Sequence, residues 1–141
     1  MSDMFAGMDI SASGLSAERV RMNIISNNLA NANTTQGPDG KPYTRKLVIF
    51  RELLSDTINE NELRSQGVEV ADIVNSKNPF RRVFDPTHPD ADEKGIVSYP
   101  NVNPIEEMVD MITATRSYEA NIAAFNAAKL MANKALELGQ K

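Results

Sequence analysis

The sequence predicts an α+β fold in which long N- and C-terminal helices pair as an antiparallel coiled coil around a small β-rich middle insert. Three observations carry that expectation. Apolar residues recur in heptads before residue 33. They recur at 3–4 spacing after residue 103. Between them lie prolines, glycines and short β-branched runs. The expected organisation is an assembly domain made of residues 1–33 and 103–141, with 34–102 as the insert.

In the N-terminal segment Met8, Leu15, Met22 and Leu29 repeat every seven residues, and Ile25 and Ala32 fill the alternate positions of a heptad seam. Ile10, Ala17 and Ile24 form a second stripe on a neighbouring face. Ser11, Ser13 and Gly14 interrupt the pattern. The helix is therefore expected to begin near Gly14 with Ser13 as its N-cap, leaving the first dozen residues as disordered chain or a separate short helix.

The stretch NIISNNLANANTT, residues 23–35, holds five asparagines on an otherwise amphipathic helix. Asparagine propagates a helix poorly because its short amide competes for nearby backbone groups. Asn23, Asn27 and Asn31 form one ridge, Asn28 sits beside it, and Asn33 is placed to end the helix in a left-handed conformation. A solvent-exposed polar face is the plain explanation, yet exposed faces usually carry Glu, Lys and Gln. An amide supplies two donors and an acceptor without charge, so it bonds across a packed interface at modest desolvation cost. Register-setting contacts between neighbouring helices are the functional expectation.

The insert opens on turn chemistry, TTQGPDGKP. YTRKLVIF (43–50) and VEVADIV (68–74) read as strands; FRRVF (80–84) and GIVSY (95–99) are shorter candidates separated by DPTHPDADEKG. Residues 54–66 are polar and read mostly as loop. The C-terminal helix has the plainest signals. Asn103 caps it, Pro104 suits the first helical position, and Glu106 stands where a capping-box carboxylate belongs. Met108, Met111, Thr115, Tyr118, Ile122, Phe125, Ala128, Ala132 and Leu136 then mark one stripe. Gly139 is placed to end the helix, with Lys134 and Lys141 near the negative end of its dipole. Eight alanines in this segment permit close backbone approach. The simplest arrangement puts the insert at the far end of the helix pair. Two helices alone cannot bury two stripes each, so self-association or assembly is expected.

Composition excludes much. A net charge of −4 with no sizeable Lys/Arg cluster argues against a nucleic-acid surface. The absence of cysteine removes disulfide and thiol chemistry. The start, MSDMFAGMDI, lacks the basic and apolar regions of a secretory signal, and no segment approaches the roughly 20 apolar residues of a membrane span. His88 is the single histidine, so a metal-dependent enzyme would have to be centred on it with Asp85, Asp90 and Asp92. DPTHPDADEKG fails the calcium-loop pattern, and its Asp and Pro residues read as turn formers. Neither cofactor nor metal is expected. A soluble helical adaptor for a partner helix is the other reading to weigh.

SASGLSAERVRMNIISNNLANANTT followed by PYTRK resembles the N-terminal signature of the bacterial flagellar axial proteins, which include rod and hook subunits. RRVFDPTHPDADEKGIVSYPNVNPIEEMVDMITATRSYEANIAAFNAAKLMANKALELG resembles the C-terminal part of a proximal-rod member. Ile96 stands where an aromatic would be expected, and 54–66 matches no family motif. The resemblance implies a non-enzymatic structural subunit whose terminal helices pack into a hollow drive shaft that transmits torque and lets later subunits pass. It implies as partners further copies, other rod subunits, the basal-body ring and the type III export apparatus, and export to the periplasmic rod without a cleaved signal. Interface positions would then be Leu15, Met22, Asn23, Ile25, Asn27, Asn28, Leu29 and Asn31, with Met108, Met111, Tyr118, Ile122 and Phe125 on the second helix.

Overall fold

A computed structural model describes residues 2–54 and 65–139. Its elements run α1 (Ser2–Ala30), β1 (Lys46–Leu54), β2 (Ser65–Asn75), β3 (Arg81–Phe84), β4 (Ile96–Tyr99) and α2 (Pro104–Gly139). The α+β class and the two terminal helices match the sequence expectation. The strands fall in two separate antiparallel pairs, β1–β2 and β3–β4. Among the described residues no helix is long and apolar enough to cross a membrane. Most of residues 54–66, expected as loop, lies outside the described residues; Leu54 itself ends β1, and Ser65 and Gln66 open β2.

Helix α1 does not start at Gly14. It is continuous from Ser2, and Ser13 is an interior residue. The serines cause no break because their hydroxyls bond back into the helix, Ser11 to the Gly7 carbonyl at 2.9 Å and Ser13 to that of Ile10 at 2.7 Å. Gly14 serves the packing. A Cβ there would sit 2.8 Å from Asn121 Nδ2 on α2. The helix also ends at Ala30, before Asn33, and no non-glycine residue described adopts a positive φ. Asn31 stops it instead, its side-chain Nδ2 donating to the Asn27 carbonyl at 2.9 Å while Thr34 caps Asn31.

The helices lie antiparallel. Gly14 faces Asn121, the Thr115 hydroxyl approaches Met22 Sδ at 3.8 Å, and Asn28 bonds Glu107, so residue numbers fall along α2 as they rise along α1. Their buried residues are small: Ala17 on α1, and Ala114, Ala128 and Ala132 on α2, with Ile25 the one large aliphatic among them. At 36 residues α2 spans about 54 Å, long for a core this thin.

The insert is not confined to the far end of the pair. The β1–β2 hairpin folds back along α1. Its base is held at Asn28, and further along Val68 N donates to Ser13 Oγ at 3.0 Å. Two irregularities, after Ile49 and after Leu53, twist the ladder. Gly67 makes the close approach to α1 possible, with φ at +121° and a would-be Cβ 2.2 Å from Ser13 Oγ. Gly67→Ala is expected to cost about 1–3 kcal/mol through strain and collision, read as a lower urea midpoint. An unchanged midpoint would mean the hairpin is not seated on α1.

Helix α2 begins where expected, but Glu106 is exposed and makes no capping-box bond among the described residues. Asn103 Oδ1 accepts from the Ile105 amide at 3.1 Å, and Pro104 is the first helical residue. Lys134 pairs with Glu137 at 2.7 Å on the outer face, while Lys141 lies outside the described residues.

Candidate functional site: the helix seam

The most elaborate chemistry in the molecule sits where α1, the head of β1 and α2 meet. Asn28 is 1% exposed. Its Oδ1 accepts from the Lys46 amide and the Tyr43 hydroxyl, both at 2.9 Å. Its Nδ2 donates to the Lys46 carbonyl at 2.9 Å and to Glu107 Oε2 at 3.0 Å. The full hydrogen-bonding capacity of the amide is therefore in use. By taking both backbone groups of Lys46, Asn28 acts as a strand neighbour for the start of β1.

Glu107, also 1% exposed, is the carboxylate of the cluster. Its Oε1 accepts from Arg45 Nε at 2.5 Å. Arg45 reaches on to Asp110 Oδ2 at 3.2 Å, and its backbone amide donates to Asn101 Oδ1 at 2.7 Å. Arg21 stands 3.9 Å from the other Asp110 oxygen. A buried carboxylate is tolerable only with such partners. Position in the first turn of α2 helps, since the positive end of the helix dipole favours an anion there. A cleft of about 270 Å³ opens beside the cluster, lined by Ile24, Arg21, Lys46, Leu47 and Phe50 among others.

Tyr43 responds to this setting. Burial, and then the nearby Glu107 carboxylate, raises its phenol above the ordinary value, because both disfavour the phenolate. The folded state therefore holds the proton more tightly than the unfolded chain. Stability from this group is complete below the unfolded phenol value of about 10 and is lost as pH rises through the higher folded value. The urea midpoint is expected to fall between about pH 9 and pH 11. Tyr43→Phe should flatten that decline while lowering neutral-pH stability by about 1 kcal/mol through the lost bond to Asn28. An equal alkaline decline in both proteins would assign it to other groups.

The helix seam uses a different phase from the one read off the sequence. Met111, Tyr118 and Phe125 are half-buried, and Ala128 and Ala132 are buried, as the stripe implied. In between, however, Glu107, Ala114 and Asn121 take the inward positions. Met108 and Ile122 stay 49% and 39% exposed. Small and polar side chains let the backbones approach, and the larger neighbours turn out. Ile105, Val109 and Ile112 extend that outward apolar face. On α1, Ile25 is buried and Leu15 and Met22 are half-buried within the chain, while Leu29 is exposed. Of the asparagines, Asn23 and Asn27 are exposed, Asn31 is half-buried at the helix end, and Asn28 is turned wholly inward.

Arg45, Glu107, Tyr43 and Asp110 were missed as members of one cluster. A signal existed. Glu107 lies a heptad before Ala114 and two before Asn121, so an acidic residue and an amide occupy a seam otherwise lined by alanine.

The loop around His88 is held by turn bonds. Asp85 Oδ1 accepts from the Thr87 hydroxyl at 2.7 Å and its amide at 3.1 Å, which lowers the Asp85 carboxyl. Asp92 Oδ1 accepts from the Ile96 and Lys94 amides, each at 2.8 Å, and is lowered chiefly by the first. His88 Nδ1 accepts from the Asp90 amide at 3.1 Å. Among the described residues no group of three potential metal ligands converges.

Comparison with known proteins follows these same elements. A family model described as flagella basal body rod protein matches residues 8–38, and one described as flagellar basal body rod FlgEFG protein C-terminal matches 93–138. The chain is 43% identical over 147 residues to the flagellar basal-body rod protein FlgC of Bacillus subtilis, covering 96% of this chain and 98% of the relative. It is 41% identical over 149 residues to that of Borreliella burgdorferi, covering 97% and 98%. Identity to the Escherichia coli O6:H1 protein of the same name is 42% over 132 residues, covering 94% and 95%.

Proposed function

The chain belongs to the FlgC family of flagellar basal-body rod proteins, which are structural proteins and not enzymes, and we propose that it is a subunit of the proximal rod. In that role it transmits torque mechanically and leaves a channel for later subunits. The observation that carries the assembly reading is surface. The chain exposes 10210 Å², whereas a compact monomer of 15.5 kDa exposes about 7,200 Å². Much of the excess is apolar: Ile105, Met108, Val109 and Ile112 on one part of α2, and Leu130, Met131 and Leu138 further along. Exposed apolar surface on this scale is characteristic of a subunit awaiting neighbours.

Residues 1–33 and 103–141 form the axial assembly domain in this proposal, paired as an antiparallel coiled coil, with 34–102 as the insert. Leu15, Met22, Leu29, Met108, Met111, Tyr118, Ile122 and Phe125 contribute to contacts with neighbouring subunits, and Asn23, Asn27 and Asn31 set stagger or face the lumen. Ile25 and Asn28 act indirectly, by holding their own helix in place. The partners are further copies and other rod proteins, with the basal-body ring and the type III export apparatus. The site of action is the periplasmic rod, reached without cleavage of a signal.

In-frame deletion in the source bacterium tests this. Loss of motility with no external hook, restored by this chain alone, is the expected result. Motile cells with intact hooks would overturn it and favour a helical adaptor. His88→Ala is expected to leave motility within about twofold of normal, since His88 closes only a surface turn. Complete loss of motility from that change alone would revive the metal-site reading.

A further inference from the structure

The seam contains one buried hydrogen bond and one close approach with a shared spacing. Asn28 meets Glu107, and Gly14 meets Asn121. The two contacts are two heptads apart on both helices, so a single alignment satisfies both at once. Elsewhere the fully buried positions of α2 are Ala114, Ala128 and Ala132, alike in size, flanked by half-buried Met111, Tyr118 and Phe125. Alanine against a helix backbone gives close packing but little information about stagger. Displacing α2 by seven residues would set Ala114 in place of Glu107 opposite Asn28 and Ala128 in place of Asn121 opposite Gly14, which leaves room at both positions and removes the Asn28–Glu107 bond.

We propose that the Asn28–Glu107 pair determines the stagger of α1 against α2, and that the rest of the seam accepts displacement by one heptad. Glu107 is suited to this. It is the only buried charged residue among those described, and Arg45 anchors it to the loop that leads from α1 into β1. Slippage therefore separates a buried carboxylate from the arginine and the amide that satisfy it. A lone polar group at an apolar seam position specifies register in coiled coils by the same penalty. Here the partner is within the chain. Lys46 and Val68 tie β1 and β2 to Asn28 and Ser13 on α1, while the start of α2 is held at the same cluster by the bonds of Arg45 to Asn101, Glu107 and Asp110.

Cysteine pairs test this cleanly, because the chain has no cysteine of its own. Met22→Cys with Thr115→Cys reports the observed register, since those side chains touch. Met22→Cys with Ile122→Cys reports the register displaced by one heptad. Mild oxidation of the full chain should close the first pair and leave the second at background. Moving the carboxylate by combining Glu107→Ala with Ala114→Glu should reverse the two yields by about tenfold each. Should that double change unfold the chain, Glu107→Leu keeps an apolar seam, and both pairs should then close to comparable extents. Retention of the first pair alone in either background would overturn the proposal. Loss of helical circular dichroism in both would overturn it as well, because the pair would then hold the fold and not its register.

Discussion

Glu107→Ala is expected to lower the unfolding free energy by about 3–5 kcal/mol, the range seen when one member of a buried ion pair is removed. The whole stability of a domain this size is about 5–15 kcal/mol, so the loss is a large share of it. Truncation leaves Arg45 facing a low-dielectric seam with only Asp110 in reach, and removes one acceptor from the Asn28 amide. Both consequences carry desolvation costs, since Asn28 and Glu107 are almost fully enclosed. Arg116→Ala is the control. Its pair with Glu119 is exposed at both ends, and such pairs contribute about 0–1 kcal/mol. Urea unfolding followed by far-ultraviolet circular dichroism should separate the two variants widely. Similar midpoints would show that the cluster is solvated in solution.

Much of this architecture was legible because each end of the chain repeats its apolar residues at helical spacing, and the cap at Asn103 marks where α2 begins. Ser13 and Gly14 misled for a definite reason. Their residue types favour helix ends in isolation, but here a hairpin needs the serine hydroxyl and Asn121 needs the missing Cβ. The seam phase was misjudged by one position because periodicity was weighted by size. Met108 and Ile122 looked like core, yet close packing selected Ala114, Asn121 and Glu107. The asparagines of residues 23–33 divide in the same way. Asn31 ends the helix, and Asn28 is a hub whose partners Tyr43, Lys46 and Glu107 lie far away in sequence. No local rule links those residues. Their meeting depends on the loop after α1 turning back, which only the folded chain reveals.

Ile122→Asp is expected to abolish rod assembly while leaving the isolated chain folded. The distinction follows from exposure. Ile122 is 39% exposed at the flank of the seam, so a carboxylate there can still reach water in the monomer and should cost about 1 kcal/mol. In a rod the same face is proposed to lie against neighbouring subunits, where an unpaired charge costs several kcal/mol at every copy. Because that penalty recurs at each contact, partial occupancy cannot relieve it, and motility should fall to the level of the deletion. Ile112→Asp, further out on α2 at 62% exposure, should behave alike if the exposed apolar residues of α2 all meet neighbouring subunits. Motility in soft agar, electron microscopy of basal bodies and urea unfolding of the purified variants read these outcomes separately. Normal rods with either aspartate would mean the exposed face of α2 points to solvent in the assembly. A variant that also unfolds in isolation would mean that Ile122 packs within its own chain.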